Sequence, residues 1–223
     1  MAIGKTCRSG TLEAMAALFS ILGRGRAGRA LAAAWGERVT LLPGDAEPEG
    51  PVLLAVPDQA LEDRCRRFPG RSAHLSGSFH LEGAPSAHPL TSFDGQPADW
   101  TGTPLALTGP VPAVIRDAFT DLGFVPFPLP AERKALYHAC AVLASGHTAT
   151  LVLGAAALLA QAGVALPGRG LAPLVESAAR NLERHGAAGR TGPFVRGDEA
   201  TIARDAAALP EAWRDIFLRL GRM

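Results

Sequence analysis

The sequence predicts an α/β domain followed by an all-α domain. Three observations carry this expectation. Short apolar runs alternate with helical segments as far as about residue 129, the pattern of a parallel sheet with crossover helices. From residue 131 onward no strand pattern remains, and long alanine-rich stretches take over. Between the first apolar run and the first helix stands a glycine-rich turn, GRGRAG at 23–28. The chain has 223 residues, enough for one large domain or two small ones with a buried core. The two are expected over residues 15–129 and 130–223.

Residues 17–22 (ALFSIL) read as a short buried strand, and RALAAAWGE after the turn as a helix ending near Gly36. Residues 38–42 (RVTLL) are the second strand, 43–50 (PGDAEPEG) a loop, and 51–56 (PVLLAV) the third strand. PDQALEDRCRR reads as a turn and then a helix, followed by a strand over 72–75. PLALT at 104–108 is a further strand with a helix after it through Leu122, and 124–128 a last short strand. One long helix is expected over 131–163, broken by PGRG at 167–170 and followed by a second over 172–185. GAAGRTGPFVRGD reads as a loop. Asp198 is a natural N-cap for the next helix, and a final helix follows Pro210. Residues 1–14 look dispensable, and Met15 stands close before the first strand.

Apolar residues make up 48% of the chain and charged residues 19%, which marks a globular protein. A net charge of +1 implies no general attraction to nucleic acid or anionic membrane. Cys7, Cys65 and Cys140 are odd in number, far apart and without a CxxC pair, which suits a reducing compartment and a cytoplasmic location. Residues 12–22 follow Lys5 and Arg8 like a secretory signal, but Glu13 interrupts the run and it ends in an arginine-bearing glycine turn. Residues 139–166 are nearly all apolar and long enough to span a bilayer. Ser145, His147, Thr148 and Thr150 within them favour a buried core helix or a dimer helix instead.

The glycine turn has the context that its spacing requires, an apolar strand before and a helix after. Gly23 permits the tight turn, Gly25 lets the backbone approach a pyrophosphate, and Gly28 allows the helix to pack on the strand. N–H groups at the helix start, from Arg26, Ala27 and Gly28, then face the phosphates. This predicts a Rossmann-like dinucleotide-binding domain with NADP or NAD as cofactor. Asp45 is the acid nearest the end of the second strand, which favours NAD, while Arg24 and Arg26 suit the 2′-phosphate of NADP. The segment between Leu42 and Pro51 has no room for another helix and strand, so the domain is a shortened one.

Five motifs in order carry a family resemblance: LLAVPDQAL (53–61), HLSGS (74–78), SAHPLTSF (86–93), ERKALYHACAVLAS (132–145) and GPFVRGD (192–198). The chain resembles, over residues 17–220, the Rossmann-like NAD(P)-binding oxidoreductases with a C-terminal helical domain of unknown function. These are relatives of pyrroline-5-carboxylate reductase, ketopantoate reductase and 6-phosphogluconate dehydrogenase. The resemblance implies a 6-phosphogluconate dehydrogenase-type helical C-terminal domain, a homodimer, and a site between the two domains. It also implies an asparagine after Ser145 on the long helix, where this sequence has Gly146.

At 100° per residue, Lys134, His138 and Ser145 fall within ~40° of one another on that helix, with Thr148 close to the same stripe. A polar stripe on an apolar helix is costly unless its groups are paired or used. Lys134 is suited to polarise a carbonyl or imine, and His138 to donate a proton near neutral pH; a wet helix start and a satisfied core histidine are the plainer readings. His74 and His88 follow strand-like segments, where ligands of open sheets bind. Ser76 in HLSGS suits a nicotinamide or substrate oxygen, and Val56, Pro57 and Asp58 end a strand at the same edge, Asp58 being equally a helix cap. Arg196 suits a bidentate clamp on a substrate carboxylate, or is a plain surface arginine. A metal set of His74, His80, His88 and His138 matches no zinc spacing. The function expected is reduction of a small carbonyl or imine compound, with a non-catalytic nucleotide-binding or regulatory dimer as the alternative.

Overall fold

The computed structural model describes residues 17–223. Cys7, Met15 and the charged lead-in to the first apolar run lie outside the described residues. The chain forms two compact units, one ending at Thr148 and one running from Ala149 to Met223.

The first unit is built on a seven-stranded sheet of order β2-β1-β3-β4-β5-β6-β7. The strands are β1 (Phe19–Leu22), β2 (Val39–Leu42), β3 (Val52–Leu54), β4 (Ser72–His74), β5 (Ser86–Pro89), β6 (Pro104–Thr108) and β7 (Val125–Pro128). All neighbours run parallel except β5 and β6. The architecture is Rossmann-like, and β2 passes to β3 through a loop alone, as the short segment requires. Arg64 and Arg67 bind Glu47 at 3.0 and 2.7 Å, and Arg64 and Arg71 also donate to the Ala46 and Gly50 carbonyls. These arginines fix the loop in place of the missing elements.

Strand side chains alternate between faces. Phe19 and Ile21 join one core with Leu31, Trp35, Ile115 and Phe119, from helices α1 (Arg26–Trp35) and α3 (Ala113–Asp121). Leu22, Val52 and Leu54 join the other core with Leu61, Cys65 and Phe68, mostly from α2 (Asp58–Arg67). Trp35 closes the first core by edge contacts to Phe19 and Phe119 and by donating its indole N–H to the Ala118 carbonyl at 2.9 Å.

The sheet is stepped. One row of paired residues crosses it, Leu22 to Leu54 to His74 to Ser86 to Thr108. Strands β1, β3 and β4 end on this row, whereas β5 begins there, so β4 and β5 share a single rung. Strand β6 runs the other way and returns to the row at Thr108, and β7 ends level with it at Pro128. The chain therefore leaves the sheet at the carboxyl edge of β1, β3 and β4.

A continuous helical stretch, Ala131–Gln161, follows. It comprises a 3₁₀ turn (Ala131–Arg133), α4 (Lys134–Val142), a π turn (Leu143–His147) and α5 (Thr148–Gln161). Its most apolar 18-residue window has a mean hydropathy of 1.7, sufficient with its length for a membrane span, and no residue of that window is buried. The second unit continues with α6 (Ala172–His185), α7 (Pro193–Arg196), α8 (Glu199–Ala207) and α9 (Glu211–Gly221). The segment 186–198, expected as a loop, holds a 3₁₀ turn and the short α7, with Pro193 at its first position. Asp198 caps α8 by accepting the Thr201 N–H at 3.1 Å.

Candidate functional site

The glycine turn follows β1 directly. Gly23 has φ 113°, and a Cβ there would run into the Ala55 carbonyl of the neighbouring β3 segment. A Cβ on Gly28 would overlap the Gly23 carbonyl, so both positions admit only glycine. Gly25 differs, because a Cβ on it would meet nothing within 4 Å. The turn is thus closed on the protein side and open over Gly25, at the N-terminus of α1. Arg24, Gly25 and Arg26 are exposed and Ala27 is half-buried. Arg29 steadies the turn by donating to the Arg24 carbonyl at 2.6 Å. Asp45 lies exposed in the loop after β2.

The HLSGS segment forms a second turn at the same edge. The Ser76 hydroxyl oxygen accepts the Phe79 N–H at 3.0 Å and the Ser78 N–H at 3.3 Å. Asp58 makes no capping bond to α2; its carboxylate accepts the Ser76 and Ser78 hydroxyls at 2.9 and 3.1 Å. Asp58 therefore holds the turn rather than ending the helix. Pro57 and Asp58 are exposed and Val56 is half-buried.

Lys134 is buried, with 1% of its surface exposed. Its ammonium donates to the Ser86 hydroxyl at 2.6 Å and to the Ser76 carbonyl at 3.1 Å, which joins the first turn of α4 to both sides of the β4–β5 step. Burial pushes its pKa down to about 8, opposed by the Asp58 carboxylate. His74, beside it on the row, is completely buried. Its Nδ1 accepts the Ser76 N–H at 3.2 Å, so the proton sits on Nε2, which has no hydrogen-bond partner among the described residues. Burial, reinforced by the Lys134 cation, pushes His74 down to about 3 and keeps it neutral.

A cavity of about 600 Å³ opens beyond β5, between the residues that follow it and the helix from Tyr137 to Ser145. His88 and His138 face each other on its wall, with ring centroids 6.1 Å apart. Gly77 packs against both rings, and a Cβ on it would come within 2.8 Å of each. His88 Nδ1 and the Tyr137 hydroxyl are 2.9 Å apart. Burial, with smaller contributions from His138 and Lys134, pushes His88 down to about 4, and burial raises Tyr137 to about 12. Both groups are neutral near pH 7, so we assign the phenol as donor to Nδ1, which leaves the His88 proton on Nε2. Ser145 also lines the cavity, its hydroxyl donating to the Ala141 carbonyl at 2.8 Å.

The structure brings His88, His138 and Ser145 to one cavity and sets Lys134 behind it with His74 and Ser76. Thr148 bonds the Leu143 carbonyl of its own helix at 3.4 Å. Arg196 belongs to the second unit, exposed at the end of α7 beside Asp198. Among the described residues no three His, Cys, Asp or Glu are grouped to hold a metal. Tyr137 and Ser86 were not singled out from the sequence, whereas Ser78 belongs to the HLSGS motif as its second hydroxyl. Tyr137 carries a signal there, standing three residues after Lys134 on the same helical stripe; Ser86 carries none.

A stepped, mostly parallel sheet with a glycine turn at its carboxyl edge, followed by a helical region, defines a protein of Rossmann-like fold. The chain matches the family described as "domain of unknown function (DUF2520)" over residues 103–223, more than half its length, and belongs to that family. Among curated proteins none matches the chain. Solved structures share its fold at low sequence identity. A candidate NADP oxidoreductase from Bacteroides fragilis superposes with a TM-score of 0.72 at 17% identity, covering 92% of this chain and 96% of that one. A Thermotoga maritima protein gives 0.70 at 19%, with the same coverage. The reductive aminase of Aspergillus terreus, in complex with NADPH and ethyl levulinate, gives 0.59 at 14%, covering 92% and 91%.

Proposed function

We propose that the chain is an NAD(P)-dependent oxidoreductase that reduces a small carbonyl or imine compound. The observation that carries this reading is the glycine turn, which tolerates no side chain at Gly23 or Gly28 yet has open ground over Gly25. That is the shape a pyrophosphate requires, with the first N–H groups of α1 directed at it. The reductive aminase of the same fold binds NADPH together with a keto ester.

When bound, the dinucleotide supplies the hydride. The protein's own groups do the rest. Arg24 and Arg26 offer guanidinium groups to the phosphates, for either NADP or NAD. The Asp58–Ser76–Ser78 turn, with Val56 and Pro57, forms the next wall along the sheet edge. In the cavity, His138 and the Tyr137–His88 pair present protic groups to the substrate oxygen or nitrogen, and one of them delivers the proton that completes reduction. Ser145 orients the substrate. Lys134 does not line the cavity; it acts as a positioning residue, holding a cation behind the turn that adds to burial in keeping His74 and His88 neutral.

The chain is further proposed to act as a homodimer, because among the described residues no residue of the most apolar window of Ala131–Gln161 is buried. Cys65 and Cys140 are free thiols, which fits a cytoplasmic location. A non-catalytic nucleotide-binding dimer is the second reading, favoured by Gly146 and by a Ser145 hydroxyl bonded within its own helix.

Calorimetric titration with NADPH and NADH tests the first step. The expected result is saturable binding of at least one of them, lost in Gly25→Ala while the variant stays folded. No binding of either at millimolar concentration overturns the proposal. Binding without turnover on a panel of ketones and cyclic imines establishes the second reading instead.

A further inference from the structure

We propose that the cavity beside His88 takes an uncharged carbonyl or imine compound and discriminates against carboxylates. The inference rests on the reading above for the identity of the reacting group, and on the cavity alone for its charge. None of the described residues that line it is Asp, Glu, Lys or Arg. Leu90, Ala141, Val142 and Ala144 give it an apolar body, while hydroxyls and imidazoles supply the polar contacts. Tyr137 is held as a neutral phenol, bonded to a neutral His88. The buried cation nearby, Lys134, has its ammonium on the Ser86 hydroxyl and the Ser76 carbonyl and is not part of the wall.

The physical consequence is a preference by charge. A cavity of about 600 Å³ accommodates a small organic molecule. A carboxylate entering it loses hydration and gains no counter-charge from the wall, whereas an ester of the same skeleton leaves no charge to compensate. One oxygen or nitrogen acceptor on the ligand suffices for the protic groups present. A carboxylate substrate is among the expectations set by the sequence through Arg196, and the cavity wall argues for the neutral alternative.

Ethyl levulinate and levulinate share a keto group and skeleton and differ in charge, so they serve as probes. Binding of each to the full chain is read by ligand-observed NMR at pH 8, above the ordinary histidine range, without cofactor and again with NADP+. The ester is expected to bind at least about tenfold more tightly than the acid. Ser92→Arg, at an exposed position of the wall, is expected to narrow or reverse that ratio, and Thr91→Lys provides an independent variant should the first fail to fold. Equal or tighter binding of the acid overturns the proposal, as does acid binding that is lost in Arg196→Ala. A preference for the ester that neither added cation alters shows binding elsewhere and overturns the site. Absence of binding by both probes in both conditions does the same. Ester preference without cofactor, in a chain that binds no NADPH, leaves this inference standing while the proposed function falls.

Discussion

The two units of the chain bury themselves very differently. In the first, both faces of the sheet are covered, and the interior is filled from Phe19 to Leu129 by buried apolar side chains. In the second, Ile202 and Ala206 are the buried apolar residues among those described, while Leu153 is 72% exposed and Leu174 67%. Yet the two segments are comparably apolar in sequence. Periodicity identifies an element, but whether its apolar face is covered depends on what lies opposite. The sheet supplies its own cover; the helices leave theirs to a second copy, in the reading proposed above.

The contrast is broken most sharply at Gly28. Gly28→Ala drives a Cβ into the Gly23 carbonyl and is expected to destabilise the sheet unit by on the order of 3 kcal/mol, seen as a large fall in Tm. Gly25→Ala, three residues away, is expected to stay within about 0.5 kcal/mol of wild type. The second unit is tested by Leu153→Lys. At an exposed position of a monomer the substitution is nearly silent, but in a symmetric dimer it appears twice and is expected to weaken association by about 2–3 kcal/mol, read as monomer in sedimentation at micromolar concentration.

A smaller effect should appear with pH, and only in the sheet unit. His74 has its pKa lowered to about 3 in the fold, against an ordinary value near 6.5. Between these values the unfolded chain binds a proton that the folded chain does not. Stability is therefore full above about pH 6.5 and falls as the pH drops towards about 3. At pH 4.5 the loss is on the order of 2 kcal/mol. His74→Asn keeps an acceptor for the Ser76 N–H but cannot titrate, so its denaturant midpoint should depend less on pH over this window; an unchanged dependence refutes the assignment. The smallest effect is expected from Tyr137→Phe, which removes one hydrogen bond worth about 1 kcal/mol. Its signature is spectroscopic, a change in the imidazole nitrogen shifts of His88 as the proton is freed to leave Nε2.

Much of this was legible from residues 17–223 alone. The strand at 104–108 and the helix at 172–185 lie where the periodicity puts them, and the three glycines have the surroundings their spacing implies. Strand β5 was expected only as a strand-like segment before His88, without bounds, and in the structure His88 lies within it. SAHP offers little apolar signal, and Pro89 lacks an N–H; its placement between β4 and β6 comes from the partners rather than from propensity. The π turn at Leu143–His147 has no compositional mark, since it changes only the hydrogen-bonding register of an apolar helix. The roles of Asp58 and Ser86 depend on chain separated by many residues, Ser76 in one case and Lys134 in the other. Local pattern therefore located the turn and the helix stripe, while the hydrogen bonds between them required the fold.

The single rung between β4 and β5 also bears on how the protein assembles. Strands β1 to β4 complete their pairing within residues 19–74, and β5 to β7 within 86–128. Within the sheet they are joined by one backbone pair; the ammonium of Lys134, which arrives from the sequence after both, and the shared core of Trp35, Ile115 and Phe119 complete the junction. The seam is thus closed by contacts between residues far apart in sequence. The His74 and Ser76 surroundings are made there, so competence of the site is a report that both blocks have docked.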